Sequence, residues 1–345
     1  MVFVERNWKR WGIGLLALLA LAVLAACAPA PAQAGTSGPP PQQSDGPRKT
    51  AVASAVAATF TAQALAQDTV TPDIVQGATA TPTPALTATP SPTAGPPPTA
   101  TPDMRPDPAN WASWPVLPTI SARAVEIYRQ GIAAGNDPRS FSTIGDCQSE
   151  SNVFLGIYDT DRYFFAKGDE YLQATVDYYK GIFQRQSLSV RDGLSAPSAL
   201  SPTWAYTGKC DANENPVQCE LRVHKPAVMF INLGTNWRAD ASTDAYEKYL
   251  RQIVELVIAN GTVPILSTKA DNVEGGNRIN QVTARVAHDY DVPLWNFWAL
   301  AQYLPDQGLD KPRQDVYLTV EAWAARSYSA LELLDTLRQE FAKAP

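Results

Sequence analysis

A parallel β-sheet covered on both faces by helices is predicted for residues 111–345, and three features predict it. Short continuous apolar runs such as 227–233 have the composition of strands buried on both faces. Segments of helical period separate those runs, so strand and helix alternate along the chain. Glycines and polar residues follow the runs directly, at the strand ends where such folds hold their ligands.

The elements follow in order. A strand is expected over 140–144, ending on Gly145-Asp146. A helix is expected over 170–183, a second strand over 187–190 and a third over 227–233. The span 243–259 is strongly periodic, with Ser242 or Thr243 as its N-cap and Gly261 as its stop. A fourth strand over 263–266, a helix over 277–290, a fifth strand over 292–297 and a last helix over 320–342 complete the pattern. The strand ends carry Gly145-Asp146-Cys147, Arg191-Asp192-Gly193, Gly234-Thr235-Asn236-Trp237, Lys269-Ala270-Asp271 and Asn296. These are expected to converge on one crevice; the plainer alternative is that strand ends are loops, and loops are polar.

The chain ahead of this domain cannot pack a core. Residues 28–110 are dominated by Pro, Thr, Ala, Ser and Gly, too poor in large apolar groups to offset chain entropy. Proline favours an extended, semi-stiff spacer, and Thr and Ser beside it suit O-glycosylation. The Ala-rich span 50–65 is the one place there where a transient helix is expected. At the N-terminus, Arg6, Lys9 and Arg10 precede an apolar run over 12–24 that is short for a transmembrane span. The sequence Leu24-Ala25-Ala26-Cys27 then resembles the lipobox of bacterial lipoproteins, whose cysteine sulfur carries a diacylglycerol. That resemblance implies export and anchoring through Cys27 to the outer face of the cell membrane, since two acyl chains hold stably where one does not. An ordinary signal peptide is the alternative reading.

Composition narrows the function classes. A net charge of −6 with no basic block gives no electrostatic basis for binding nucleic acid. The chain has two histidines, His224 and His288, which argues against a His-rich metal site. No cofactor is expected.

Ile144-Gly145-Asp146-Cys147, followed by Phe230-Ile231-Asn232-Leu233-Gly234-Thr235-Asn236, resembles the SGNH/GDSL hydrolases. The resemblance runs from about residue 140 to the C-terminus. It implies a flavodoxin-like three-layer α/β/α sandwich and cleavage of acyl esters on lipids or glycans. Gly145 and Asp146 match the family's first block, but Cys147 replaces the nucleophilic serine. Gly193 fits the glycine block that lends an amide to the oxyanion hole, and Asn236 fits the oxyanion-hole asparagine, with Trp237 where aspartate is usual. In the last block Tyr317 stands where the family has histidine, and Asp315 is one residue displaced from the aspartate position. The resemblance thus keeps the oxyanion elements and loses the proton-transfer elements. Tyrosine is a poor base near neutrality, whereas a thiol is a few per cent thiolate unaided.

With Cys27 assigned to the lipid, Cys210 and Cys219 flank the polar loop 211–218 and read as a loop-closing disulfide. Cys147 is left over, as a nucleophile or as a small buried residue in place of serine. Lys269 and Asp271 are expected to pair with each other or to meet a polar ligand. Trp237 is a candidate floor for a sugar, among tryptophans that mostly belong to core or groove walls. Three readings follow: a thiol esterase of extracellular glycans or lipids, a catalytically impaired module that binds carbohydrate or a protein, and a bare partner interface.

Overall fold

The computed structural model describes Asp103, residues 105–313 and residues 316–343. Cys27, the lipobox, the spacer up to residue 102, the 50–65 helix and Asp315 lie outside the described residues.

Four strands, β1 (Asp137–Gly145), β2 (Pro226–Asn232), β3 (Val263–Ser267) and β4 (Leu294–Trp295), form one parallel sheet in the order β1-β2-β3-β4. On the free edge of β1, Val190 forms a single parallel bridge with Gly145. Counting that bridge as a strand gives the spatial order 2-1-3-4-5, the doubly wound order of flavodoxins. The sheet is covered on both faces. One face carries α1 (Ala122–Ala133), α2 (Gln173–Tyr178) and α8 (Val320–Ala342). The other carries α3 (Ala196–Ala199), α4 (Pro216–His224), α5 (Thr243–Ala259) and α6 (Arg278–Tyr290). The fold is therefore the three-layer α/β/α sandwich expected.

Packing explains the strand composition. Every residue of β2 except its last is buried, and Phe230 at its centre meets Phe141, Phe154 and Trp295 edge-on. A strand covered on both sides has no solvated face, hence the unbroken apolar run. α5 begins on a Ser242 cap and ends before Gly261, whose φ of +69° suits glycine. A Cβ on Gly261 would stand 2.4 Å from the Cα of Gly131 in α1, so the close approach of these two segments also requires glycine.

Several elements differ from the sequence expectation, each for a local reason. The strand over 187–190 contracts to one bridge because Ser187 and Ser189 both turn their hydroxyls onto the Thr143 carbonyl, at 2.7 and 2.9 Å. Side-chain bonds of this kind compete with the ladder. The helix over 170–183 shortens to a 3₁₀ turn (Glu170–Leu172) and α2. Gly181 there has φ +87°, and the Asp159 carboxylate takes the amides of Gly181 and Gln184, which turns the chain out of the helix. The fifth strand is only β4, because Asn296 caps the short helix α7 (Phe297–Ala301). α1 and α4 arise where no helix was expected. α4 carries a capping box between Asn215 and Gln218, with Pro216 in its first turn, so the last three residues of the loop read over 211–218 are helix. Residues 105–110, expected as the end of the spacer, belong with the domain: Asp107 caps a 3₁₀ segment (Pro108–Ser113) that buries Trp111.

Cys210 and Cys219 are joined by a disulfide that ties the loop ahead of α4 to the helix itself. Closing a segment with a sequence separation of 9 removes unfolded-chain entropy equivalent to about 2–3 kcal/mol. Cys210→Ser with Cys219→Ser is expected to lower stability by about that amount in urea denaturation.

Candidate functional site

The expected crevice lies at the carboxyl ends of β1, β2 and β3, between the chain reversal of the sheet and the segment before α8. It encloses about 400 Å³, part of it open to solvent. Asp146, Thr235, Lys269, Asp271, Val316 and Arg326 are among its walls.

The first wall is built by the turn after β1. A Cβ on Gly145 would lie 2.2 Å from Ser149 Oγ and 3.1 Å from the Asn232 carbonyl, so β1 can enter this turn only through glycine. Asp146 then caps the 3₁₀ turn Cys147–Ser149, its Oδ1 accepting from the Gln148 amide at 3.0 Å. Its Oδ2 accepts from Asn236 Nδ2, also at 3.0 Å. Burial pushes the Asp146 carboxyl up to about 6; the Gln148 amide and the Arg326 charge pull it down, while Asp271 and Asp192 push it further up. Cys147 remains a thiol and is buried at the start of the same turn.

Asn236 closes the neighbouring strand end. The residue is exposed, but its amide turns inward, donating to Asp146 Oδ2 and, at 3.3 Å, to the Leu194 carbonyl. Two acceptors take the two amide protons. Gly193 sits in an exposed turn with φ +73°, immediately before Leu194. Trp237 does not floor the crevice. Its ring packs on Tyr246 and Tyr249 of α5, with centroids 5.5 and 6.4 Å away.

The β3 end holds a buried ion cluster. Lys269 Nζ donates to Asp271 Oδ1 at 2.6 Å, to Glu274 Oε2 at 2.7 Å and to the Asp271 carbonyl at 2.9 Å. Those bonds use all three ammonium protons. Asp271 Oδ2 accepts from Thr235 at 2.8 Å, and Glu274 Oε1 accepts from the Ile279 amide in the first turn of α6. Of the two expectations for Lys269 and Asp271, the structure realises the mutual pairing. Asn296 is not at the crevice: it is fully buried, bonding Thr268 and the carbonyls of Trp111 and Trp114.

The last wall holds two residues that carried no motif. Gln148 clamps the segment before α8, donating to the Val316 carbonyl at 2.9 Å and accepting from the Leu318 amide at 2.8 Å. Arg326, on α8, lies over Phe154 with its guanidinium carbon 4.5 Å from the ring centroid, and donates from Nη1 to the Gln148 carbonyl at 2.6 Å. Burial lowers its pKa to about 10, against the pull of Asp146. Tyr317, between the two clamped residues, stacks against the Arg313 guanidinium at 4.0 Å.

Neither histidine approaches this end of the sheet. His224 ends α4, directly before β2, beside Glu220; its pKa is lowered by burial. His288 lies in the last turn of α6, near Asp103 and Asp289. Both occupy helix C-terminal turns, where a cation meets the negative end of the helix dipole.

The strand order and the seating of the Gly145-Asp146 and Gly234-Thr235-Asn236 blocks at neighbouring strand ends are those the SGNH/GDSL resemblance implies, and the fold is hydrolase-like in that sense. No family model matches the chain, and no curated protein matches it. Among solved structures it is similar to LAE5, an alpha/beta hydrolase from the metagenome of Lake Arreo (17% identity, 59% of this chain and 96% of that one, TM-score 0.39). It is also similar to the psychrotrophic esterase EstA from Pseudoalteromonas (14%, 58% and 99%, TM-score 0.40). A third is a lipolytic protein of the G-D-S-L family from Desulfitobacterium hafniense (13%, 56% and 99%, TM-score 0.38).

Proposed function

We propose that the domain is a hydrolase-like fold that has given up ester cleavage and keeps its crevice to bind extracellular carbohydrate. In this reading the lipid on Cys27 and the spacer over 28–110 hold it at the outer face of the cell membrane. One observation carries the loss of catalysis. The Asn236 amide, which a hydrolase must aim at the developing oxyanion, is committed to Asp146 and the Leu194 carbonyl. An oxyanion hole works because its donors await charge in the transition state; donors already bonded to a carboxylate and a carbonyl do not. Reversing the amide would set its oxygen against two acceptors, so this assignment is chemically forced when Asp146 is ionised. Among the described residues proton transfer fares no better, since both histidines lie at the opposite end of the sheet.

The test is hydrolysis of p-nitrophenyl acetate and acetylated xylo-oligosaccharides by the purified protein and by Cys147→Ala. The expected result is no turnover above buffer background in either. Hydrolysis that Cys147→Ala abolishes would restore the thiol-esterase reading.

A further inference from the structure

Arg326 is out of place in α8. On that helix Trp323, Ala330, Leu334, Leu337 and Phe341 are buried at helical spacing from Arg326, while Ser327, Ser329 and Asp335 are the other polar residues it buries. Into this row the helix inserts an arginine that is 5% exposed. Its guanidinium faces Phe154, Trp295 and Phe297, and no carboxylate lies within salt-bridge distance of it among the described residues. A buried guanidinium in such surroundings is costly unless its donors are met. It has five N–H groups, yet its bonding among the described residues is one contact from Nη1 to the Gln148 carbonyl. Nε and Nη2 make no bond among the described residues and are not sealed off from open space, and Arg326 lines the crevice. The aromatic rings take the flat face of the fork, which leaves its edge for a partner.

We propose that the crevice recognises a carboxylate-bearing sugar, whose carboxylate is gripped edge-on by Arg326. This rests on the carbohydrate-binding reading above and names its ligand class. Planar two-point pairing is the geometry in which guanidinium and carboxylate match. Charge selects a monoanion over a phosphate dianion. Lys269 is already paired with Asp271 and Glu274, and Arg326, the site's cation without an ion-pair partner among the described residues, faces Asp146, so little positive charge is left for a second negative one on the ligand.

Asp146 makes binding depend on pH. The charged groups that bear on it are Arg326 from α8, Asp271 from the loop after β3 and Asp192 from the turn after Val190. Above a pH of about 6 Asp146 is a carboxylate and repels the ligand. Below it Asp146 is neutral, while an ordinary sugar carboxylate, which titrates near about 4, is still ionised. Affinity therefore rises as pH falls from about 8 to about 5.

The experiment titrates the purified full chain with galacturonate in a calorimeter at about pH 5 and about pH 8, with methyl galacturonate ester as the uncharged control. Galacturonate is expected to bind about tenfold tighter at the lower pH, and about tenfold tighter than the ester there. Asp146→Asn is expected to remove the pH dependence, and Arg326→Lys, which keeps charge but loses the fork, to weaken the acid about tenfold while leaving the ester unchanged. If acid and ester bind equally, the crevice takes carbohydrate but Arg326 does not read a carboxylate, and the inference fails while the reading beneath it stands. If neither sugar binds to folded protein, both fail. Should Arg326→Lys not fold, Asp146→Asn decides: a pH dependence that survives in it overturns the proposal.

Discussion

Lys269→Met is expected to lower the stability of the domain by about 3–5 kcal/mol, although methionine fills much the same space. The ammonium is 8% exposed on its side chain, and the two carboxylates it holds are 3% and 4% exposed. Removing one partner of a buried pair strands the other as an uncompensated charge; here two are stranded at once. Glu274 is tied in further, because its second oxygen caps α6 through the Ile279 amide, where Asn277 supplies no side-chain cap. The cluster therefore fastens the loop after β3 to the start of α6, and a change at Lys269 is transmitted into a helix that covers the sheet. A urea midpoint that drops with an unchanged slope would give the loss directly. A loss below about 1 kcal/mol would mean that water replaces the ammonium.

This cluster and the crevice beside it were legible in the sequence to different degrees. Periodicity located α5, because a long helix with one buried stripe announces itself at every third or fourth residue. The strand end at Gly234 was legible because the largely apolar run 227–233 stops there. The edge strand at 187–190 was overread: its alternating serines look like a half-buried strand, but their hydroxyls bond the β1 carbonyl in place of the ladder. α4 was missed although Asn215-Pro216 with Gln218 is a helix-start signal, because cysteines on either side suggested a loop. Asn296 and Trp237 show the limit of position alone. A polar or aromatic residue at a strand end can turn into the core or onto a helix, and no local pattern says which way. Arg326 carried a signal in its spacing from Trp323, Ala330 and Leu334: an arginine at a buried helix position must meet something.

Glu220→Leu is expected to cost about 3–5 kcal/mol and to loosen the crevice from a distance. Glu220 lies on α4 with no exposed surface, and its carboxylate joins three pieces of chain. One oxygen accepts from Ser142 of β1 and from Arg185 Nη1 at 2.9 Å; the other accepts from the Leu188 amide at 2.6 Å. Leucine would remove the charge that holds Arg185, whose Nε already makes no bond among the described residues. It would also leave the Leu188 amide buried without an acceptor, at a further cost of about 1–3 kcal/mol if nothing else moves. The cheapest relief is for residues 185–190 to pull away from β1, which breaks the bridge between Val190 and Gly145. The next turn holds Gly193 and the Leu194 carbonyl that helps fix Asn236, so the amide facing Asp146 would lose its second anchor. Amide exchange separates this from a uniform loss of stability. Leu188, Ser189 and Leu194 should exchange much faster in the mutant than the drop in global stability accounts for, while Val228 in β2 should slow-exchange in proportion to it. Equal acceleration at all four amides would mean that Glu220 supports the whole sheet and not this edge.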